Sequence, residues 1–493
     1  MISPENLRGY LESNWDESIA KDEYYPNKMP FTVLYGTWEQ MGKQYGKFRA
    51  KYIRIVYDAL YSLWTRSGLN NSSLRSTMKR FMEETNNFAP QMMEFIKGTA
   101  TGASDQLDGA IHADALSNFE KVFFINSLFE LAIPSSWEFL AELTGERLGS
   151  QAIEFMRSPQ ASNDASFASH AWAAWGAATR SGGCIVGGAR DQPWFPLFYS
   201  CSYVAIPSDP AAKITFVNTI SGVIAASSQL NEKGVYVANT IVGNTWNPSA
   251  GIREQDIGVP ALIATAHVSF YADTARNAAT IVTTGDENFR PLKERKLFPY
   301  TVGFNQLFAD RSGGLVVERT AHRYLVRSAG GAGERGSYVV LTNHNVGKAS
   351  NSADGESNEP METFGSGESS DRSSAARYWS LSHLLAKRLG NIDAEFGIEE
   401  LEKMKYIFTK DGNKVDSING IPVWRLGYST QRFMFRNPRD ESEFPYGGSL
   451  TTTVVDLESL DIYYILGLPD YWDGPWQHVS LADPSYNIIR NHF

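Results

Sequence analysis

The stretch Asn163-Asp-Ala-Ser-Phe-Ala-Ser-His-Ala-Trp-Ala-Ala-Trp-Gly176 joins a polar loop to an apolar, strand-like run that begins at Ser169. The run continues into a Ser-Gly-Gly turn at 181–183, and a second strand-like run from Cys184 to Asp191 follows the turn. Two such runs on either side of a glycine-rich turn predict a β-hairpin. Pairing of its strands would return the carboxylate of Asp191 to the hydroxyl of Ser169.

A hydroxyl at the start of a strand becomes a self-activating nucleophile if the chain is cut immediately before it. Cleavage between Ala168 and Ser169 would free an α-amine, whose reference pKa is about 8. That amine can take the proton from the hydroxyl of its own residue, as in N-terminal-nucleophile catalysis. Considered alone, a strand-start or capping serine is the simpler interpretation of Ser169, and a turn aspartate is the simpler interpretation of Asp191.

The segment that begins at Ser169 resembles the start of the catalytic chain in the acyl-coenzyme A:6-aminopenicillanic acid acyltransferase family. These proteins are N-terminal-nucleophile hydrolases, related to choloylglycine hydrolases and more distantly to phospholipase-B-like proteins. The family begins this segment with Cys and continues to Trp-Gly and a Gly-Arg-Asn-x-Asp turn. An ungapped alignment places Ser169 on the nucleophile, Asp191 on the last residue of the turn, and Gly188 and Ala189 on its Arg and Asn. The family's arginine is missing unless Arg190 supplies it from a shifted position.

Three further segments carry the resemblance along the chain. Residues 36–46 resemble the Gly-Thr-x-x-Glu-x-Gly-x-x-x-Gly opening of the family's pro-segment, with Gln40 at the position of Glu. Residues 230–239 resemble its Asn-Glu-x-Gly-Leu hairpin, and Thr342-Asn343-His344 matches its Thr-Asn-His strand end. The resemblance implies that Asn239 and Asn343 form an oxyanion hole, since an amide NH2 can donate to a developing oxyanion. A lone Asn at a strand end is otherwise most often a turn former.

The resemblance also implies charged and polar groups that contact the substrate. Arg372 and Arg377 both lie near a predicted helix start after an acidic loop, where the family has a late arginine. We choose Arg372, although both arginines could equally be solvated. Arg190 and His344 complete the predicted substrate-binding residues. A self-activated N-terminal residue needs no separate base, so a structural role for His344 outweighs a role as base.

Composition and charge restrict the classes of function. The chain has 493 residues, of which 42% are apolar and 13% aromatic, so it can bury a sizeable core and is not disordered. The net charge of −10 speaks against a nucleic-acid or anionic-membrane partner. The most apolar span, residues 122–140, is interrupted by polar residues and proline, so no membrane insertion is expected. No secretory signal is visible at the N-terminus, and we expect a cytoplasmic protein.

Thiol, metal and cofactor chemistry find little support in the sequence. The two cysteines, Cys184 and Cys201, exclude a disulfide framework. Cys184 is an alternative nucleophile, but a buried small hydrophobe is the more usual role of a cysteine in a strand. The histidines and cysteines show no metal-ligand spacing, and the chain has neither a phosphate loop nor a Gly-x-Ser-x-Gly elbow. We therefore expect neither a metal nor a cofactor.

The pattern of apolar residues changes at the proposed cleavage site. Residues 1–168 are mostly helical in pattern, whereas residues 169–493 alternate strands with some helices. Periodicity alone predicts a mixed α and β protein. The resemblance implies more: an α+β fold of the four-layer αββα type, with 1–168 as a helical pro-segment or α chain and 169–493 as the catalytic β chain.

The function implied by the resemblance is that of a self-processing zymogen. Its product would be a hydrolase or acyltransferase that cleaves a linear amide C–N bond of a small acylated substrate. Its expected partners are that substrate and the two processed fragments of the same chain. Two alternatives remain: an ester- or lipid-cleaving enzyme of phospholipase-B-like type, and a non-catalytic relative that keeps the fold as a binding module. An uncleaved Ser169 would favour the binding module.

Overall fold

The computed structural model describes most of the chain and confirms the mixed α and β class. The described residues are 23–24, 30–66, 71–131, 169–193, 199–242, 257–283, 303–319, 324–329, 334–346, 355–357, 372–418, 420–426, 428–431, 434–435, 447–466 and 475–482. Ala168, most of the acidic loop at 348–371 and part of the glycine-rich segment at 330–336 lie outside them.

Helices occur in both parts of the chain. They are α1 (Trp38–Arg66), α2 (Asn71–Phe88), α3 (Pro90–Gly102), α4 (Ser104–Leu107), α5 (Asn118–Asn126), α6 (Ala261–Tyr271), α7 (Ala275–Thr283), α8 (Arg372–Lys387) and α9 (Ala394–Phe396). The strands are β1 (Glu23–Tyr24), β2 (Pro30–Gly36), β3 (His170–Trp175), β4 (Cys184–Pro193), β5 (Ser200–Pro207), β6 (Thr215–Ile220), β7 (Ser228–Asn231), β8 (Tyr236–Val242), β9 (Gly303–Asp310), β10 (Gly313–Arg319), β11 (Tyr324–Arg327), β12 (Tyr338–Leu341), β13 (Gly355–Ser357), β14 (Ile407–Phe408), β15 (Lys414–Val415), β16 (Ser417–Ile418), β17 (Ile421–Pro422), β18 (Met434–Phe435), β19 (Gly447–Asp456), β20 (Asp461–Leu466) and β21 (Gln477–Ser480).

Two large sheets organise these strands. One has ten strands in the order β1-β2-β5-β6-β7-β8-β9-β10-β11-β13, and the other has the order β12-β3-β4-β19-β20-β21, with β18 also paired to β19. Apolar residues of both sheets, among them Ala173 and Val204, share one core. A second core joins the ten-stranded sheet to α1–α3 and α5–α7, and a third joins β3, β4 and β12 to α8. Burial of one face of a sheet against another sheet and of its other face against helices removes both faces from water.

The strand β2 is a feature that the sequence pattern missed. Its residues Pro30–Gly36 are buried almost throughout, so they lack the alternation of apolar and polar residues that marks a half-buried strand. β2 pairs in parallel with β5, from Phe31 opposite Ser202 to Gly36 opposite Pro207. The N-terminal part of the chain therefore contributes hydrogen-bonded strands as well as helices.

Two residues of the Gly-Thr-x-x-Gln segment, Thr37 and Gln40, cap the start of α1. The backbone N–H of Thr37 donates to Gln40 Oε1 at 2.9 Å, and the N–H of Gln40 donates to Thr37 Oγ1 at 3.3 Å. These reciprocal bonds form a capping box, in which Gln serves as well as Glu. Gly36 precedes the box at a φ of +120°, a conformation that side chains disfavour. This segment therefore starts a helix.

The glycines of α1 and α3 let these two helices touch through their backbones. A Cβ at Gly42 would lie 2.1 Å from the carbonyl oxygen of Phe95, and a Cβ at Gly46 would lie 2.2 Å from that of Thr99. The reverse contacts are equally close, since a Cβ at Gly98 would lie 2.1 Å from the carbonyl oxygen of Glu39. Such short approaches are possible only where neither helix carries a side chain.

Gly46→Ala should destabilise the protein although alanine favours helix. The gain in helix propensity is about 1 kcal/mol. Overpacking against a backbone that cannot swing aside costs about 1–3 kcal/mol or more, so the clash should win. Urea unfolding measures the difference. Gly109→Ala is the control, because its Cβ would meet nothing closer than 3.6 Å and its stability should be at least that of wild type.

The chain leaving α5 connects the N-terminal part to the rest of the protein. Asn126 donates to the carbonyl of Gly222 at 2.8 Å and accepts from the N–H of Ile224 at 2.9 Å. Glu130 is buried, and its Oε1 accepts from the N–H of Ala261, the first residue of α6, at 2.9 Å. Burial raises the pKa of Glu130 from 4.5 to about 7, against the lowering effect of backbone hydrogen bonds.

Glu130→Gln should change the pH dependence of stability. A carboxyl group with a raised pKa in the folded state contributes stability below pH 4.5 that is lost as the pH rises through 7. Wild type should therefore lose stability relative to the Gln variant between about pH 4.5 and 7, by about 3 kcal/mol in total. Urea unfolding at several pH values measures this, with Glu94→Gln on the exposed face of α3 as control. Parallel profiles for wild type and Glu130→Gln would contradict the assignment.

Candidate active site

The hairpin forms as the sequence predicts. β3 pairs with β4 in antiparallel register, from His170 opposite Ala189 to Trp175 opposite Cys184. One residue before this ladder, Ser169 Oγ accepts from the N–H of Asp191 at 3.3 Å and lies 3.4 Å from its carbonyl oxygen, to which the hydroxyl can donate. The backbone of Asp191 thus holds the hydroxyl of Ser169.

Both residues are buried, at a point where the sheet is irregular. Ser169 is 1% exposed and Asp191 is 2% exposed. The register between β4 and β19 shifts here, because Asp191 lies opposite Ser449 while its neighbour Arg190 lies opposite Thr451. A β-bulge of this kind bends the strand and re-aims its side chains, and bulges are common beside active sites.

Arg190 is a buried cation with few protein partners. Its Nη1 donates to the carbonyl oxygen of Asn239 at 3.3 Å, and its Cζ lies 5.0 Å from the ring centre of Phe129 and 6.0 Å from that of Phe304. Burial lowers the pKa of Arg190 to about 9, so the group is still protonated at neutral pH. Its Nε and Nη2 make no hydrogen bond within the described part of the chain. A guanidinium in this state can bind an anionic or carbonyl oxygen.

The two predicted oxyanion-hole residues differ in how they are held. Asn343 Nδ2 donates to the carbonyl of Ile241 at 2.7 Å, and its Oδ1 accepts from Arg377 Nη2 at 2.9 Å. One hydrogen of its NH2 group then remains for a ligand. Asn239 lies on β8, two residues from Ile241, and its buried amide atoms make no hydrogen bond to any described residue.

Of the two candidate arginines near the start of α8, the structure describes the side chain of Arg377, which contacts Asn343. Arg372 is the first residue of α8, and its side chain lies outside the described part of the structure. Arg377 is fully buried, and its Nη1 also donates to Ser373 Oγ at 3.0 Å. Its position could have been found in the sequence, since Arg377, Leu381 and Leu384 have the spacing of one buried helical face.

His344 is held as a neutral group. Its Nδ1 lies 2.7 Å from Ser374 Oγ and 3.1 Å from Thr342 Oγ1. Burial lowers the pKa of His344 to about 3, and the nearby charges of Arg377 and Arg327 act in the same direction. A histidine with so low a pKa is a poor base at neutral pH.

A buried ionic network braces the segment that carries Asn343. The carboxylate of Glu318 accepts from the N–H of Val346 at 3.1 Å and from Arg327 Nε at 2.9 Å. Arg327 also pairs with Glu334, whose Oε1 accepts from the N–H of Val340 at 2.8 Å. The network therefore fixes the chain on both sides of Asn343. Sequence reasoning gave no sign of it, because its members are spread over several loops and strands.

The cysteines lie where thiol chemistry is disfavoured. Cys184 is buried in the core between the two sheets, and burial raises the pKa of its thiol far above the usual value. Cys201 is buried in the core under α1. A thiol that does not ionise is a weak nucleophile.

The described ranges contain neither a candidate metal site nor a candidate membrane-spanning helix. Within them, no group of three or more His, Cys, Asp or Glu side chains could hold a metal ion. No described helix combines the length and the apolarity needed to cross a membrane.

Hydrogen bonds and chain adjacency join most of the predicted site residues. Asp191 contacts Ser169, and its neighbour Arg190 contacts Asn239. Asn239 lies on β8, and the carbonyl of Ile241 on the same strand accepts from Asn343. His344 follows Asn343 directly, and the side chain of the predicted residue Arg372 lies outside the described part of the structure. A buried hydroxyl, a carboxyl group, two amides and two guanidinium groups thus lie on or beside β3, β4, β8, β12 and α8.

No family model matches the chain, and no curated protein matches it in sequence. Among solved structures, the chain is similar to two variants of the conjugated bile acid hydrolase from Clostridium perfringens, with sequence identities of 13% and 15% and TM-scores of 0.33 and 0.32. Each match covers 64% of this chain and 93% of the hydrolase chain. Because the TM-scores are this low, the function has to be argued from the geometry of the site.

Proposed function

We propose that this protein is a self-processing N-terminal-serine hydrolase or acyltransferase that acts on a linear amide C–N bond. The observation that carries the proposal is the position of Ser169. Its hydroxyl is buried one residue before β3 and bonded to the backbone of Asp191. A chain cut before Ser169 would place an α-amine on the residue that bears this hydroxyl, and we assign the carboxyl group of Asp191 to orienting that amine.

The processing step needs only Ser169 and water. Ser169 Oγ attacks the carbonyl carbon of Ala168, the C–N bond of that peptide breaks, and the acyl group moves to Oγ as an ester while the nitrogen becomes a free amine. Water then hydrolyses the ester. The products are a fragment ending at Ala168 and a fragment beginning at Ser169.

Turnover repeats this chemistry on the substrate. Ser169 Oγ attacks the substrate carbonyl while its proton passes to the α-amine, and the oxyanion accepts from the amides of Asn239 and Asn343. The C–N bond breaks, the leaving amine takes the proton, and the acyl group remains on Oγ as an ester. Attack by water completes hydrolysis, whereas attack by a second amine completes acyl transfer.

The finer description of the fold belongs to the same proposal. We assign the layers as helices, ten-stranded sheet, second sheet and helix, in an αββα arrangement, supported by the three apolar cores. We divide the chain into 1–168 and 169–493. The parallel pairing of β2 with β5 and the contacts of Asn126 should keep the two fragments together after cleavage.

The proposed substrate is a small acylated molecule. Arg190 supports this assignment because a buried guanidinium with unused N–H groups can bind a polar group beside the scissile bond. Arg372 and His344 remain proposed contacts. The neutral state of His344 limits it to hydrogen bonding.

Autocatalytic cleavage between Ala168 and Ser169 is the first test. In proportion to the number of residues, the 54.8 kDa chain should give fragments of about 19 and about 36 kDa that stay associated. Intact mass and N-terminal sequencing of the purified protein decide the outcome. A single full-length species with full activity would refute the mechanism.

Two variants control this test. Ser169→Ala should remain uncut because it has no hydroxyl. Ser169→Cys should still be cut and should become sensitive to iodoacetamide, because thiolates react even when a small fraction is ionised. Wild type should resist iodoacetamide. If iodoacetamide and Cys184→Ala each abolish wild-type activity while the protein stays folded, Cys184 takes the role of nucleophile.

Asn343→Ala and Asn239→Ala test the oxyanion hole. Loss of either donor should lower kcat by roughly 10²–10³ with little change in KM, because the bond forms with the transition state. Turnover is measured with whichever N-acyl amino acid, β-lactam or bile-acid conjugate the wild type cleaves. Asn231→Ala is the control, since Asn231 is also buried but holds the far end of the β7–β8 hairpin. Wild-type kcat in both test variants would remove these residues from the site.

A further inference from the structure

Behind the start of β3 lies a buried cluster that the proposed chemistry does not use. Glu402 Oε2 lies 2.9 Å from His170 Nε2, and Glu402 Oε1 accepts from Trp172 Nε1 at 2.9 Å. The side chains of His170 and Glu402 are 1% and 0% exposed. His170 and Trp172 point to one face of the strand, opposite to the face of Ser169. One carboxylate thus binds two side chains within the first three residues of β3.

The position of Glu402 is set by a wide helical turn. Residues Gly397–Leu401 form a π-helix, and the N–H of Glu402 donates to the carbonyl of Gly397 at 3.0 Å. Single π-helical turns are rare in proteins, and those that do occur are frequently found at functional sites. The turn brings Glu402 to β3 from more than 200 residues further along the chain.

Two glycines leave the space that the ring of Trp172 occupies. A Cβ at Gly187 would lie 2.7 Å from Trp172 Cζ2, and a Cβ at Gly397 would lie 3.1 Å from the same atom. The ring therefore fits between β4 and the π-helix only because neither residue has a side chain. Its position fixes the indole N–H toward Glu402.

These contacts matter most at a chain end. The ladder between β3 and β4 begins at His170, so a free Ser169 would have no chain before it and no ladder partner of its own. Terminal residues fray unless they are tied down. A nucleophile, however, must stay in place, because a displacement of about 1 Å can cost roughly 10² in rate. The side chain nearest to Ser169 that can tie down the strand is that of His170.

We propose that Glu402 is a positioning residue, which holds the first residues of β3 through His170 and Trp172 and thereby keeps the new N-terminus at Ser169 in place. The inference rests on the proposed cleavage before Ser169. In the uncut chain, the peptide bond to Ala168 restrains Ser169 from the other side. The Glu402 contacts should therefore matter more after cleavage than before it.

Hydrogen exchange measured by mass spectrometry tests this difference. The Glu402→Ala variant is compared with the protein that retains Glu402. The comparison is made once in the cut chain and once in the uncut Ser169→Ala background. We expect exchange of the amides at 170–172 to rise roughly tenfold or more in the cut protein, the scale on which a charge-assisted hydrogen bond shifts an equilibrium. The rise in the uncut background should be much smaller. An equal rise in both backgrounds would reduce Glu402 to a structural residue and overturn the proposal.

Turnover and rescue provide the second readout. With the substrate that wild type cleaves best among N-acyl amino acids, β-lactams and bile-acid conjugates, Glu402→Ala should lower kcat and leave KM unchanged. Glu402→Gln should restore most of kcat, because its amide oxygen can accept from Trp172 Nε1 while its amide NH2 can donate to His170 Nε2. Unchanged kcat in Glu402→Ala, or no rescue by Gln, would also overturn the proposal. Gly46→Ala is the matched control for a loss of stability elsewhere, and its effect on exchange should be the same in cut and uncut protein.

Two further outcomes are distinguishable. If Glu402→Ala does not fold, Trp172→Phe keeps a ring between the glycines and removes one bond to Glu402. The Trp172→Phe variant should then show a smaller rise in amide exchange, again confined to the cut protein. If no such rise occurs, the proposal is contradicted. If wild type itself is uncut, the proposed function fails before any variant is compared. The positioning role proposed for Glu402 fails with it.

Discussion

The antiparallel pairing of β3 with β4 is the interaction on which the rest of the site depends. Its register, with His170 opposite Ala189, brings the hydroxyl of Ser169 to the backbone of Asp191. The same two strands are flanked by β12, which leads into Asn343, and by β19, which carries the bulge. A shift by one residue would turn every side chain of the strand to the opposite face. The buried alternation of Ala171 and Ala173 with Trp172 opposes such a shift.

Buried charge is the main energetic cost of this arrangement, and the protein meets it in two ways. Arg327 is paired with the carboxylates of both Glu318 and Glu334, so the buried cation of the network that braces Asn343 is fully compensated. Arg190 has aromatic faces and one carbonyl as neighbours, and no described carboxylate pairs with it. Removing a charge from water without a counter-ion is unfavourable. Perturbed groups of this kind concentrate at functional sites, which makes Arg190 a stronger indication of ligand binding than Arg327.

Sequence reasoning was most successful where the information is local. The hairpin followed from two apolar runs and a glycine turn, and the helices within residues 1–168 and the helix that starts at Arg372 followed from periodicity. The strand β2 was missed because burial on both faces removes its alternation. Glu402 was missed for a different reason: its contacts join residues more than 200 positions apart, and no local pattern records such a distance.

The segments that resemble one family do not carry equal weight for function. In residues 36–46, Gln40 completes a capping box and Gly46 allows two helices to touch, so this match concerns folding. The segments around Ser169, Asn239 and Asn343 differ, because hydrogen bonds and shared strands bring them to neighbouring positions although they are far apart in the chain. Folding alone gives no reason for a buried amide such as that of Asn239 to lack a described partner. In the proposed mechanism, an oxyanion formed at Ser169 would supply that partner, so the proposal of catalysis rests on these later segments.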